Sequence, residues 1–247
     1  MKFKYIVIGI LGFSNMAMAD ISTLANHFQI RNTYFSVAGV AATLNSDNIR
    51  ESYPNLPGNE FIPALNSAQI NGGTGGLQLE SGFQSKFHFL NLKTGLQYLY
   101  LAEHNQQAAP FYNTGFFDSA FMHQVTVNAL NATLGVSYDL SSQFNIYVDG
   151  GVGVVFLNSY ASYATNSDGS DLININQNYT QNFTWRLGGG GVYRLSPHWG
   201  IDLGLHYADF GTVDYGHFAT TPALVNGVNI NAPHFNALLL TLGLDYL

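Results

Sequence analysis

The alternation of apolar and other residues is clearest near the end of the chain. Every second position there holds a large apolar residue: Leu238, Leu240, Leu242, Leu244 and Tyr246. Successive side chains of a β-strand point to opposite faces of its sheet. The spacing therefore predicts a strand with one continuous apolar face.

The same alternation recurs upstream and predicts eight strands in all. Their predicted bounds are residues 33–44, 74–84, 87–101, 126–138, 144–157, 183–195, 199–208 and 237–246. The fourth strand is the least regular, because Val125 and Val127 share a face with Asn131 rather than with Leu130. A β-bulge or a later start of that strand would explain the irregularity.

The connections between these strands alternate between short and long. The short ones lie around residues 85–86, 140–142 and 196–198, and the long polar ones are residues 45–73, 102–123, 158–180 and 211–234. Outer-membrane barrels have short periplasmic turns and longer extracellular loops. The sequence therefore predicts an all-β fold, an antiparallel eight-stranded transmembrane β-barrel in the bacterial outer membrane, with four long extracellular loops.

The composition agrees with contact between the chain and membrane lipid. Hydrophobic residues make up 47% of the chain and charged residues only 9%, whereas charged residues make up about 25% of a typical soluble domain. The apolar residues are dispersed, as the alternating faces of a membrane barrel require. A net charge of −7 argues against nucleic acid as a partner, because binding its phosphates needs basic residues.

The first residues predict export across the inner membrane. Lys2 and Lys4 precede an apolar run that ends near Phe13, and a small-residue cleavage site follows. That order is typical of a cleavable signal peptide, here residues 1–19. The apolar run is shorter than the roughly 20 residues of a membrane-spanning helix. Residues 20–247 are then the mature barrel, with no second domain expected.

The face opposite the lipid-facing one carries six charged residues, which are predicted to form a charge network in the barrel lumen. They are Glu80, Lys93, Asp149, Arg186, Arg194 and Asp202. A soluble lipocalin-like barrel would instead hold few charges inside. The interior of an eight-stranded barrel is just wide enough for its own side chains, so the network should fill it.

Two pairings within this network follow from the predicted turns. Glu80 and Lys93 lie at similar distances from the turn near Lys86, and Arg194 and Asp202 flank the turn near Pro197. Residues on neighbouring strands can form ion pairs when they face each other, as expected for Glu80 and Lys93, or when they are diagonal neighbours, as expected for Arg194 and Asp202. We expect a structural network of such pairs, and the alternative is a gate or narrow ion path that opens when the pairs switch.

No catalytic site is predicted. Asp118, Ser119 and His123 come nearest to a nucleophilic triad, in which a histidine activates a serine and a third group orients the histidine. Serine, aspartate and histidine are common in loops, and no strained nucleophile motif surrounds Ser119. The sequence therefore predicts that the protein is not an enzyme and needs no cofactor.

Histidines and glycines offer two other candidate sites, and neither one fits. Four histidines lie in or beside predicted loops without metal-ligand spacing and are expected to be solvated: His104, His123, His217 and His234. The glycine run at residues 188–191 lacks the helix start and lysine of a phosphate loop. These glycines are expected to let a bulky inward neighbour cross the lumen, and Tyr147 is the candidate.

Two segments resemble a known family. The segment at residues 191–204, GVYRLSPHWGIDLG, and the turn at residues 138–144, YDLSSQF, resemble strand-turn-strand units of small OmpA-like and opacity-type barrels. The resemblance implies eight strands without a periplasmic domain, and recognition of the last strand by the barrel-assembly machinery. It also implies a role in membrane integrity, surface contact or a small pore, without choosing among them.

Two functions remain open at this stage. The first is a non-enzymatic barrel that acts in envelope integrity or binds an extracellular surface ligand through its loops, which are rich in aromatic residues: Tyr53, Phe61, Phe111, Tyr112, Phe116, Phe117 and Phe121. The alternative is a narrow channel for small or hydrophobic solutes that resembles the OmpW-type barrels.

Overall fold

A computed structural model describes most of the chain. The described residues are 29–47, 49–52, 61–62, 69–87, 89–113, 117–164, 172–174, 177–218 and 228–246. The predicted signal peptide lies outside them. No helix long and apolar enough to cross a membrane occurs in these ranges.

Eight long strands form a closed antiparallel barrel. In chain order, with three short strands between them, the strands are β1 (Gln29–Asn45), β2 (Arg50–Ser52), β3 (Phe61–Ile62), β4 (Asn71–Phe87), β5 (Leu90–Asn113), β6 (Phe117–Asp139), β7 (Phe144–Ala164), β8 (Leu172–Asn174), β9 (Asn178–Arg194), β10 (Trp199–Phe218) and β11 (Val228–Tyr246). The long strands pair in sequence order, and the pairing of β1 with β11 closes the barrel. All eight predicted strands are confirmed.

Most strands extend further at the extracellular end than predicted. β5 continues to Asn113 and β6 begins at Phe117, so most of the predicted loop at residues 102–123 is a paired hairpin. Outside the hydrocarbon layer the outward positions need not be apolar. The backbone ladder therefore continues where the alternation of apolar residues ends, for example at the outward pair Asn105 and Gln124.

Two of the periplasmic turns, those before β7 and β10, share one serine contact. Ser141 Oγ accepts hydrogen bonds from the backbone N–H groups of Gln143 and Phe144, at 3.2 and 3.0 Å. Ser196 Oγ accepts the equivalent bond from Trp199 at 3.1 Å. A side chain that binds nearby backbone in this way favours a turn over a continued strand, and it sets where the next strand begins.

The outer wall is apolar between two rings of exposed aromatic residues. Near the periplasmic turns these are Phe35, Phe83, Tyr138, Phe144, Tyr193, Trp199 and Tyr246. At the extracellular side they are Tyr98, Tyr100, Phe156, Phe183, Trp185 and Tyr207. Such girdles mark the two interfaces of the membrane, so the wall between them faces the hydrocarbon.

The predicted fourth strand is β6, and its irregular alternation has a different cause from the one predicted. β6 pairs with β7 without a register shift from Ala120 to Asp139, and it begins before residue 126. Val125, Val127 and Asn131 all face inward and are buried. The predicted bulge or late start is therefore wrong. The inward face itself changes from polar to apolar towards the extracellular end.

Two glycines make room for a tyrosine that crosses the lumen, as the glycine run suggested. A Cβ added at Gly190 would lie 2.7 Å from the Tyr147 hydroxyl, and one added at Gly204 would lie 2.6 Å from it. Both distances are shorter than any normal contact. Tyr147 can reach Asp202 only because these two inward positions carry no side chain.

Substitution of Leu203 tests which face of β10 contacts lipid and which faces the lumen. Leu203 is 54% exposed and lies midway along β10 between the girdle residues Trp199 and Tyr207. Leu203→Arg should lower the free energy of unfolding by about 2–4 kcal/mol, the cost of an arginine at the bilayer midplane. Urea unfolding in lipid vesicles measures the loss.

The matched control is Leu195→Arg, which places the same side chain in a periplasmic turn. Leu195 is 57% exposed, and an arginine near the interface should cost only about 0–1 kcal/mol. Equal losses in the two variants would contradict the assignment of Leu203 to the lipid-facing wall.

Candidate functional site in the barrel lumen

Asp149 organises the charged groups in the periplasmic half of the lumen. Arg186 Nη2 donates to Asp149 Oδ2 at 2.6 Å, and His206 Nε2 lies 2.9 Å from Asp149 Oδ1. Arg186 also donates to Gln78 Oε1 at 3.2 Å and is only 3% exposed. A buried guanidinium needs such partners, because leaving it unpaired away from water is costly.

Tyrosine hydroxyls bind two of the other carboxylates. Tyr34 Oη donates to Glu80 Oε1 at 2.6 Å, and Thr133 Oγ1 donates to the same oxygen at 3.0 Å. Tyr147 Oη donates to Asp202 Oδ1 at 2.8 Å. Hydrogen bonds to a charged acceptor are stronger than neutral ones. The tyrosines therefore supply hydrogen bonds to two carboxylates that form no salt bridge with an arginine or lysine in the described part of the chain.

Lys93 pairs with Asp245 and not with Glu80, so the predicted pair is wrong. The Lys93 ammonium lies 3.6 Å from Asp245 Oδ2, and 5.1 Å from the ring centre of Tyr34. The β4–β5 turn is centred beyond Lys86, which places Gln97 opposite Glu80. Lys93 is four residues from Gln97 along β5, about 13 Å at the rise of a strand.

Arg194 lies at the periplasmic mouth, and its predicted pairing with Asp202 is also wrong. Arg194 Nη2 donates to Asp139 Oδ1 at 2.6 Å, and the two side chains are 25% and 34% exposed. The register places Asp202 diagonal to Arg194, one inward position beyond Gly200, as the prediction required, but the guanidinium binds Asp139 instead. The predicted network is thus divided between a buried layer and a separate, partly solvated ion pair.

The buried polar layer leaves little free space. We use this name for the inward residues Tyr34, Gln78, Glu80, Lys93, Thr133, Tyr147, Asp149, Arg186, Asp202, His206 and Asp245. The cavity among them has a volume of about 30 Å³. A site of that size holds roughly one or two water molecules, so the side chains themselves fill this half of the lumen.

The extracellular half of the lumen is filled by apolar side chains. We call this set the apolar layer, and its largest fully buried members are Leu44, Ile49, Ile70, Leu99, Leu101, Leu157, Phe210, Tyr215, Ile230, Phe235 and Leu239. The rings of Phe210 and Phe235 are 5.5 Å apart. Close packing of this kind leaves little room for water between these side chains, and the buried polar residues His104, His123 and Ser159 lie at the same end of the barrel.

Two isoleucines outside the barrel strands complete the apolar layer. Ile49 and Ile70 are 0% exposed and belong to the segment between β1 and β4. Ser46 Oγ accepts a hydrogen bond from the Ile70 N–H at 2.8 Å, and the Asp47 N–H donates to the Pro233 carbonyl at 3.0 Å. These bonds fix Ser46, Asp47 and Ile70 at the extracellular end of the barrel, beside β11.

Sequence reasoning missed five members of the polar layer: Tyr34, Gln78, Thr133, His206 and Asp245. Asp245 and His206 stand at inward positions of the strands that the alternation predicted, and that position was the available signal. Tyr147 was identified as a lumen-crossing residue from the glycines opposite it, but its carboxylate partner was not, and Tyr34 carried no signal because tyrosines are also expected in the aromatic girdles. Their role depends on contacts across the lumen, which period-two alternation does not report.

Two histidines predicted to be solvated are buried inside the barrel. His123 is 0% exposed and its Nδ1 lies 3.2 Å from the Tyr215 hydroxyl, and His104 is 8% exposed. The extracellular extension of β5 and β6 turns both positions inward.

The side chains of Asp118, Ser119 and His217 lie outside the described residues. Among the residues described, no three acidic or histidine side chains are placed to hold a metal ion.

Comparison with known proteins identifies a family. The family model for the outer membrane protein beta-barrel domain matches residues 6–244. No curated protein sequence matches the chain.

Several solved structures match the chain at low identity and low TM-score. Ail of Yersinia pestis, in complex with the heparin analogue sucrose octasulfate, is 10% identical, covers 87% of this chain and 99% of its own, and has a TM-score of 0.39. OprG of Pseudomonas aeruginosa is 18% identical over 87% of this chain and 96% of its own, with a TM-score of 0.43. Neisserial surface protein A is 11% identical, covers 87% of this chain and 99% of its own, and has a TM-score of 0.33.

Arg186 tests how strongly the polar layer stabilises the barrel. Arg186→Met leaves Asp149 with His206 alone, so the free energy of unfolding should fall by about 3 kcal/mol, the lower end of the cost of an unpaired buried charge. The double variant Asp149→Asn, Arg186→Met should lose less than the sum of the two single changes. Urea unfolding of the folded barrel measures all three.

The control is Arg194→Met at the periplasmic mouth. Its pair with Asp139 is partly solvated, and exposed ion pairs contribute at most about 1 kcal/mol. Additive effects at Asp149 and Arg186, or an equal loss at Arg194, would argue against the buried layer.

Proposed function

The chain belongs to the family of outer membrane protein β-barrel domains, and on this basis we propose that it is a non-enzymatic barrel whose closed interior anchors an extracellular surface that acts in envelope integrity or surface contact. The observation that carries the proposal is that side chains fill both halves of the lumen. Polar side chains fill the periplasmic half and apolar side chains fill the extracellular half.

The two layers oppose ion passage for different reasons. An ion that enters the polar layer has to displace partners from carboxylates and bases that are already bonded to one another. An ion that enters the apolar layer loses its hydration among mostly apolar side chains, which is far more costly. Breaking an ion pair in the polar layer therefore leaves the second barrier in place.

The extracellular part of the barrel is suited to present a stable surface. β5 and β6 continue as a paired hairpin, and β2 adds a strand to the upper end of β11. A binding surface on paired strands loses less conformational entropy on contact than one on free loops. We expect the aromatic residues predicted in the loops to serve as anchors there, and their side chains lie outside the described residues.

Export and insertion precede this role. We expect residues 1–19 to be removed as a signal peptide, and the barrel-assembly machinery to recognise the last strand. β11 offers lipid-facing leucines that end in the exposed Tyr246, as the resemblance to small outer-membrane barrels implies.

A second candidate function is a narrow channel for small hydrophobic solutes. The apolar lining of the extracellular half favours it, because such a lining binds apolar solutes without loss of hydrogen bonds. Passage would require Ile49 and Ile70 to move away from the mouth, together with an exit past the polar layer. The dense filling of both layers makes this the weaker candidate.

Ion conductance separates the two candidates. In planar lipid bilayers the barrel should produce no stable single-channel steps, because the apolar layer seals the lumen. Lys93→Met should also be silent, since it alters only the polar layer. A wide porin inserted in the same bilayers is the positive control for conductance.

Regular conductance steps of the unmodified barrel would contradict a closed anchor and favour the channel. Steps that appear only in Lys93→Met would show that the polar layer is the sole barrier. That result would contradict the sealing role given to the apolar layer.

A further inference from the structure

An uncharged patch of amide and aromatic side chains covers the outer wall at and just above the extracellular girdle. It consists of Asn128 on β6, Phe156 and Asn158 on β7, and Tyr179, Gln181 and Phe183 on β9. Phe156 pairs in register with Asn128 on one side and Gln181 on the other, and Asn158 pairs with Tyr179. These neighbours share the outward face, so they form one surface, which we call the amide–aromatic patch.

The aromatic members of this patch are strongly exposed. Tyr179 is 72% exposed, Phe183 is 66% and Phe156 is 50%. Asn158 accepts a hydrogen bond from Gln177 at 2.7 Å, which holds its amide beside Tyr179. Clustered exposed apolar groups rimmed by polar ones mark contact surfaces. The patch therefore needs a partner that offers both apolar and hydrogen-bonding groups.

The patch has no basic residue, and the chain has few elsewhere. Its eight lysines and arginines are Lys2, Lys4, Arg31, Arg50, Lys86, Lys93, Arg186 and Arg194. None belongs to the patch, and Lys93 and Arg186 face the lumen. Proteins bind phosphate and sulfate groups mainly through arginine and lysine. The chemistry of the patch therefore favours a neutral ligand over a polyanion.

We propose that the amide–aromatic patch binds the neutral sugar rings of the glycolipid headgroups in the outer leaflet of the membrane. The C–H groups on one face of a sugar ring can pack against the electron-rich face of Tyr179 or Phe183. The amides of Asn158 and Gln181 both donate and accept hydrogen bonds, which suits sugar hydroxyls. The proposal does not depend on whether the lumen conducts.

The position of the patch supports a membrane lipid as the source of these sugars. Along β9 the outward wall runs from Leu187 through Trp185 to Phe183, Gln181 and Tyr179, with no break in the strand. The lower part of this wall faces hydrocarbon, so the part directly above the girdle meets the headgroups of the same lipids. Lipopolysaccharide, whose headgroup is a saccharide, occupies that leaflet.

The two tryptophans of the chain provide a matched pair of reporters. Trp185 borders the patch at the extracellular girdle, and Trp199 lies at the periplasmic one. In Trp199→Phe the fluorescence of Trp185 is the only tryptophan signal. The detergent-solubilised protein is titrated with lipopolysaccharide that carries its complete core oligosaccharide, and separately with lipid A, which keeps the phosphates and acyl chains but lacks the core sugars.

The complete lipopolysaccharide should bind about tenfold more tightly than lipid A, the effect of one aromatic contact with its flanking hydrogen bonds. Tyr179→Ala should remove this difference and leave the binding of lipid A unchanged. Asn158→Ala should reduce it. The control Tyr193→Ala removes an exposed tyrosine from the periplasmic end of the same strand and should change neither affinity.

Each other outcome contradicts the proposal. Equal affinities for the two lipids would mean that acyl chains or phosphates dominate the binding. If Tyr179→Ala still bound lipopolysaccharide more tightly than lipid A by the same factor, the amide–aromatic patch would not be the binding site. Free core oligosaccharide that binds as tightly as lipopolysaccharide would indicate a soluble glycan instead of a membrane lipid. Heat-modified mobility of every variant confirms that the barrel is folded.

Discussion

Closure of eight strands into a barrel fixes the width of the lumen, and the other features of this protein depend on that limit. An interior of this width is filled by the side chains that point into it. Every inward residue is therefore a neighbour of residues on the opposite wall. Tyr147 shows how strict the limit is, because it reaches Asp202 only past two positions that lack a side chain.

The side chains that fill this narrow lumen form two layers of different chemistry. In the periplasmic half, carboxylates, bases and tyrosine hydroxyls bind one another, as at Asp149 with Arg186. In the extracellular half, side chains such as Phe210 and Phe235 pack as in the core of a soluble protein. The outer wall changes at a similar level, from hydrocarbon-facing residues to the amide–aromatic patch. A closed interior and a differentiated outer surface together suit an anchor better than a pore.

The strands were predictable because one face of each had to suit lipid, which leaves a regular trace in the sequence. The extracellular extensions of these strands could not be predicted from the alternation. An outward residue above the membrane, such as Gln124, does not contact lipid and therefore need not be apolar. The charged residues of the lumen were identified correctly as inward-facing, but their partners were not. A shift in the centre of one turn gives Lys93 the partner Asp245 in place of Glu80. Pairing across a lumen depends on register and closure, and neither can be read from the spacing of charges.

Side-specific labelling of a single cysteine tests the closed lumen most directly, since the chain has no cysteine of its own. Gln84→Cys places a thiol on the inward face at the periplasmic mouth, and Thr212→Cys places one on the exposed extracellular part of β10. In oriented vesicles, a charged thiol reagent on the extracellular side should modify Thr212→Cys and leave Gln84→Cys unmodified. The same reagent on the periplasmic side should modify Gln84→Cys. Modification of Gln84→Cys from the extracellular side at a similar rate would contradict a lumen sealed by its apolar layer.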